Sequence, residues 1–73
     1  MTATRTADLG NCYEYDETGR RLAGTDRQTI DGMVALSALW PTTWHQYVGP
    51  TGYVTWARGG REVGASELPA ALR

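Results

Sequence analysis

The chain has one histidine, His45, and one thiol, Cys12. An imidazole beside a thiol is the chemistry of an activated nucleophile, in which a third group orients the base. No residue stands at a spacing that would orient His45, and a lone histidine in an aromatic run is more often packed than catalytic. Glu14, Asp16 and Glu17 are close enough to share a cation, but the calcium-loop pattern is missing. They read as solvated turn acids. Gly49-Pro50-Thr51-Gly52 and Arg58-Gly59-Gly60-Arg61 are rich in glycine, yet neither opens a long helix carrying a Lys-Ser/Thr pair, as a phosphate loop does. A single cysteine permits no intrachain disulfide, and zinc-ligand spacings are absent. The expectation is a non-enzyme with no catalytic residue, no metal and no cofactor.

Binding chemistry is better supplied. Trp44, Tyr47, Tyr53 and Trp56 lie close together, with Arg58 and Arg61 just behind them. Trp, Tyr and Arg dominate the energetics of protein interfaces, so these six form the expected partner-binding set, centred on Trp44, Tyr53 and Arg58. In a chain without phenylalanine the same rings must also build the core. The two jobs are expected to fall on different faces of one sheet.

The stretch that holds these residues reads as a β-hairpin. Residues 42–48 and 53–57 are rich in β-branched and aromatic types and flank Gly49-Pro50-Thr51-Gly52. Closing that loop pairs Val48 with Tyr53, Tyr47 with Val54, Gln46 with Thr55 and His45 with Trp56. One face then carries His45, Tyr47, Val54 and Trp56; the other carries Trp44, Gln46, Val48, Tyr53, Thr55 and Ala57. A half-exposed antiparallel sheet normally shows a polar outer face, and neither face here is polar. One is expected to meet a helix, the other a partner or the first hairpin folded back.

That first hairpin is expected from residues 9–15 and 20–23 around Asp16-Glu17-Thr18-Gly19. Its register sets Tyr15 opposite Arg20, Tyr13 opposite Leu22, and Glu14 in an ion pair with Arg21. Gly24-Thr25-Asp26 offers a cap for a helix from about Asp26 to Leu39, stopped at Trp40-Pro41. At about 100° per residue, Ile30, Met33, Val34, Leu36, Ala38 and Trp40 share one broad arc. Leu39 and Ala35 fall on the opposite side. A helix apolar nearly all round is covered on two sides, and in so small a domain another chain is a candidate for the second. Arg58-Gly59-Gly60-Arg61 then turns into a third strand over 61–64. Ser66 would cap a short terminal helix whose Leu68 and Leu72 pin it to the sheet.

Tyr13-Glu-Tyr-Asp-Glu-Thr-Gly-Arg-Arg-Leu resembles one unit of the tyrosine–aspartate repeats of large bacterial shell proteins, which implies a hairpin at this place. Residues 53–72, Tyr-Val-Thr-Trp-Ala-Arg-Gly-Gly-Arg-Glu-Val-Gly-Ala-Ser-Glu-Leu-Pro-Ala-Ala-Leu, resemble the wing and closing helix of winged-helix excisionases and related regulators. That resemblance implies a DNA-binding regulator with Arg58 and Arg61 in its wing. Residues 43–48 would be the recognition helix and Val34, Ala38 and Leu39 would belong to the helix and turn before it. The pattern departs at the recognition segment, which has no Arg or Lys and favours a strand by composition. The same tail is similar to the last strands of SH3-like barrels. Leu39-Trp40-Pro41 followed by Pro50-Thr51-Gly52-Tyr53 resembles the MbtH-type activators of peptide synthetases, without their later Trp-Asp and Arg-Pro elements.

Size and charge set the frame. Seventy-three residues make one domain near the lower limit for a self-sufficient core. With no disulfide or metal to staple it, an oligomeric interface is the staple left, so a homodimer stands open beside the monomer. The net charge of −1 makes nucleic acid a disfavoured partner. No apolar run approaches the length of a membrane span, and the N-terminus lacks a signal-peptide core. These features lead to the expectation of a cytoplasmic protein. Its basic residues are all arginine, which suits the codon usage of a high-GC bacterium or its phage. The reading is an α+β fold: residues 1–7 a flexible tail, and 8–73 a single domain of two β-hairpins, a short third C-terminal strand, one central helix and a short C-terminal helix. Its function is read as that of a protein-binding inhibitor, adaptor or regulator using an aromatic sheet face.

Overall fold

Each β-rich run between turn signals becomes a strand. The computed structural model describes residues 9–73, with the backbone alone for Thr25 and Asp26. The tail expected over residues 1–7 lies outside the described residues. In chain order the elements are β1 (Gly10–Tyr15), β2 (Arg21–Gln28), α1 (Ile30–Leu39), β3 (Trp44–Val48), β4 (Val54–Arg58) and β5 (Arg61–Val63). Two 3-10 turns follow, at Ala65–Glu67 and Ala70–Leu72. The strands form one sheet in the order β2-β1-β3-β4-β5, with every neighbouring pair antiparallel. Helix α1 links β2 to β3 across the intervening β1 and packs over β3, β4 and β5. The fold is α+β.

The first hairpin closes on Asp16. One oxygen of its carboxylate accepts from the Thr18 hydroxyl at 2.6 Å, the Thr18 N–H at 2.9 Å and the Arg20 N–H at 3.1 Å. These bonds, the Thr18 hydroxyl first, hold the carboxyl below its ordinary range. Beyond the turn the register differs from the expected one. Tyr15 faces Arg21, Glu14 faces Ala23 and Tyr13 faces Gly24, while further on Asn11 faces Arg27 and Gly10 faces Gln28. Two irregularities in the ladder each insert a residue into β2, which twists this long edge strand and blunts it as a template for foreign strands. The expected Glu14–Arg21 ion pair is therefore absent. Arg21 sits 5.0 Å from the centre of the Tyr13 ring.

Because β2 pairs out to Gln28, the helix begins at Ile30 and not at Asp26. Thr29 is its cap, and the Thr29 hydroxyl accepts from the Gly32 N–H at 2.9 Å. Ile30, Met33 and Ser37 are buried, with Val34 packed beside them, the i, i+3, i+4, i+7 spacing of one helix face. They meet Cys12, Tyr47 and Ala57 from the sheet. The buried stripe is narrower than the expected arc. Ala38 and Trp40 lie outside it, exposed, and a serine lies inside it. The Ser37 hydroxyl donates to the Val34 carbonyl at 2.6 Å and accepts from the Gly60 N–H at 2.9 Å. That second bond ties the helix to the β4–β5 turn, where Gly59 and Gly60 both have positive φ, 65° and 89°, as a tight primed hairpin requires.

The aromatic hairpin forms one residue out of the expected register. Val48 pairs with Val54, Tyr47 with Thr55, Gln46 with Trp56 and His45 with Ala57. The cause is the loop. The Gly49 N–H donates to the Tyr53 carbonyl at 2.7 Å and the Gly52 N–H donates to the Gly49 carbonyl at 3.0 Å, so Tyr53 belongs to the connection. A slip of one residue turns every β4 side chain over. Ala57, in place of Trp56, thus faces the helix beside Tyr47 and His45, and a small residue there lets the helix sit close.

Trp56 joins Trp44 on the other face. There Trp44, Val63 and Leu68 are buried and Tyr15, Trp56 and Leu72 pack against them. The cover is the chain's own C-terminal segment, which makes two 3-10 turns where a short helix capped by Ser66 was expected. Glu67 fixes its start, accepting from the Gly64 N–H at 3.1 Å and the Arg61 guanidinium at 2.8 Å. Arg73 closes its end by donating to the Leu68 carbonyl at 2.9 Å. The first hairpin does not fold back over this face; it extends the sheet through the β1–β3 pairing.

Replacing Ser37 with Ala leaves the Gly60 N–H without its acceptor. We expect a loss of about 1–3 kcal/mol, read as a lower urea midpoint at unchanged slope. An unchanged midpoint would show that water serves the N–H equally well.

Candidate functional site

The six expected binding residues divide between three places. Trp44, Trp56 and Arg58 share the face covered by the C-terminal turns, and the Arg58 guanidinium lies 4.4 Å from the centre of the Trp44 ring. Trp44 is only 7% exposed, and its indole N–H is buried with no hydrogen-bond partner among the described residues. Trp56 is half-buried, its ring 5.7 Å from that of Tyr15. Tyr47 is buried on the opposite face, under the helix. Gly10 makes room for it, since a Cβ at that position would overlap the Tyr47 ring. Tyr53 is exposed at the tip of the β3–β4 hairpin. Arg61 faces Arg58 across β4 and β5 and is spent on Glu67, while Arg58 pairs with Glu17 at 3.5 Å. These residues do not assemble into one open patch.

An open patch does exist, on the helix. Its only charged residue is Asp31. On the side turned away from the sheet, Ala35 is exposed, Leu39 is 70% exposed and Trp40 is 61% exposed, with half-buried Leu36 between them. Leu36, Leu39 and Trp40 are spaced i, i+3, i+4 and so are neighbours on the surface. The sequence placed Trp40 on the same apolar arc as the buried Ile30 and Met33. A readable clue to the contrary was the single charge in ten helical residues, which leaves no polar side to turn outwards.

The backbone under Trp40 is firmly held. The Trp40 N–H donates to the Leu36 carbonyl at 3.1 Å. The Trp40 carbonyl receives His45 Nε2 at 3.2 Å, and the same nitrogen is 3.2 Å from the Thr43 hydroxyl. The Thr43 hydroxyl has one proton, and its 2.6 Å contact gives that proton to the Glu14 carboxylate. A carbonyl can only accept, so Nε2 of His45 must carry a proton. This chain of bonds joins β1, the helix end and β3. His45, sought as a base, is buried and uses this nitrogen to fasten the helix.

Beside Trp40 lies a cavity of about 90 Å³ walled by Cys12, Tyr13, Glu14, Leu36, Trp40 and His45. The topology thus brings the thiol and the imidazole near one hollow, because Cys12 and Glu14 on β1 face Tyr47 and His45 on β3. The hollow is far smaller than a drug-sized ligand site of roughly 300–1,000 Å³. It has room for the end of one side chain. Among the described residues no group of three or more His, Cys, Asp or Glu is placed to hold a metal ion. Nor is any helix among the described residues long and apolar enough to cross a membrane.

Comparison with protein-family models, with curated proteins and with solved structures gives no match.

The burial contrast separates core from surface tryptophan. Trp44→Ala should cost about 3–5 kcal/mol, comparable to the whole stability of so small a scaffold. Trp40→Ala should stay within about 0.5 kcal/mol of the parent. Thermal unfolding followed by circular dichroism decides; equal losses would contradict this placement.

Proposed function

We propose that this chain is a small non-enzymatic protein-binding module, an inhibitor, adaptor or regulator, that meets its partner with the outer side of α1. The observation that carries this reading is the apolar strip of exposed Leu39 and Trp40 with half-buried Leu36, on a helix with one charged residue. Isolated exposed apolar residues are ordinary, but a contiguous strip marks an interaction surface. Tryptophan is a frequent anchor of such surfaces. Here its main chain is pinned by Leu36 and His45, so little ordering cost is left for binding. The strip replaces the aromatic sheet face as the favoured contact, because the C-terminal turns occupy much of that face. Tyr53 and Val54, both exposed at the hairpin tip, offer a smaller second contact. The arginine-only basic set supports action inside a high-GC bacterial cell, on behalf of the cell or a phage.

The DNA-binding alternative draws less support. Its recognition segment contains strand β3, Trp44–Val48, hydrogen-bonded on both sides. Its two wing arginines are matched by Glu17 and Glu67, which leaves little charge for phosphates.

A photo-crosslinking amino acid at position 39, in an extract of the encoding cells, tests the reading. We expect one discrete protein adduct that a crosslinker at exposed Glu62 does not give. Unlabelled parent chain should compete it away, and the Leu39→Glu variant should compete about tenfold less well. Adducts solely between two copies of the chain would make the strip a homodimer interface. No position-specific adduct would refute the proposal.

A further inference from the structure

We infer that the hollow beside Trp40 is built to take a basic side chain, the ammonium of a lysine or the guanidinium of an arginine, from the protein that covers α1. The inference rests on the protein-binding reading above and names the chemistry of the contact. Three features of the hollow point the same way.

Its volume, about 90 Å³, is well below that of a drug-sized site and suits one side-chain tip. Its lining residues include the apolar Leu36, Trp40 with its indole and Glu14 with its carboxylate. An aliphatic stem lies well against the first two, and a cation is attracted by the ring face and by the carboxylate together.

The protons of His45 Nε2 and Thr43 are already taken. The Nε2 proton of His45 already serves the Trp40 carbonyl and the Thr43 oxygen, and the Thr43 proton serves Glu14. A carboxylate entering here would meet Glu14 with no free N–H or O–H from those groups to receive it. A wholly apolar tip would strip water from the carboxylate and return nothing.

Glu14 is also left uncompensated among the described residues: it has no cationic partner there, and Arg21, the neighbour expected to pair with it, is drawn to Tyr13. One carboxylate oxygen is held by Thr43, which fixes the group's direction while the other oxygen keeps its capacity to accept.

The test is a nuclear magnetic resonance titration of the whole chain with n-butylammonium and n-butylguanidinium chlorides, against n-butanol at matched sodium chloride. We expect saturable shifts at the Glu14 and His45 amides and at the Trp40 indole N–H with the two cations and not with the alcohol. In Glu14→Gln, whose amide oxygen can still accept from Thr43 and whose fold is checked by spectral dispersion, the apparent affinity should fall about tenfold or more. Absent shifts, equal shifts with butanol, or unchanged affinity in Glu14→Gln would overturn the inference. Combining Glu14→Gln with the crosslinker at position 39 separates the two proposals. An undiminished protein adduct removes the cation site and leaves the binding module standing. Cation shifts without any adduct remove the binding module and leave a cation pocket.

Discussion

One sheet in this small protein carries apolar side chains on both faces, and everything else follows from the need to cover both. A ten-residue helix closes one side over Cys12, Tyr47 and Ala57, and ten C-terminal residues close much of the other over Trp44 and Val63. Neither cover is large. The helix approaches closely because the residue beneath it is Ala57, and the C-terminal segment stays down because Leu68 is buried and Arg61 and Arg73 tie its two ends. Among the described residues, the elements are committed to the sheet and none covers the outer side of the helix.

The place where the helix stops is a polar junction. His45, Thr43, Glu14 and the Trp40 carbonyl form a continuous run of hydrogen bonds between β1, β3 and the helix end. Buried polar groups are costly unless satisfied, and a satisfied network fixes one arrangement of the elements it joins. Here it determines where Trp40 stands: its main chain faces inwards to His45 and its ring stands in solvent. A residue type that usually completes a core is instead presented on a rigid mount.

The charged residues tell the same story of internal use. Asp16 organises the first turn, Arg58 covers Trp44, and Arg61 and Glu67 hold the start of the C-terminal segment. Glu14 is half-buried and has no ion-pair partner among the described residues, and unlike half-buried Asp16 it is not committed to holding a turn. That asymmetry, next to an exposed indole, distinguishes this corner from the rest of the surface and gives the binding reading its chemical direction.

The sequence by itself determined the kinds of element and their order. Turn chemistry at Asp16-Glu17-Thr18-Gly19, at Gly49-Pro50-Thr51-Gly52 and at Gly59-Gly60 is local, as is the β-rich composition between them, and local preferences are readable without a fold. Tertiary structure decided registers, faces and exposure. The β3–β4 slip arose from a loop that took in Tyr53, and it exchanged Trp56 for Ala57 under the helix. The late helix start arose because Arg27 and Gln28 had strand partners in Asn11 and Gly10. Trp40 and Glu14 were legible as residues and not as a site. Their meeting depends on β1 lying next to β3, a pairing between segments far apart in the chain that no local pattern encodes.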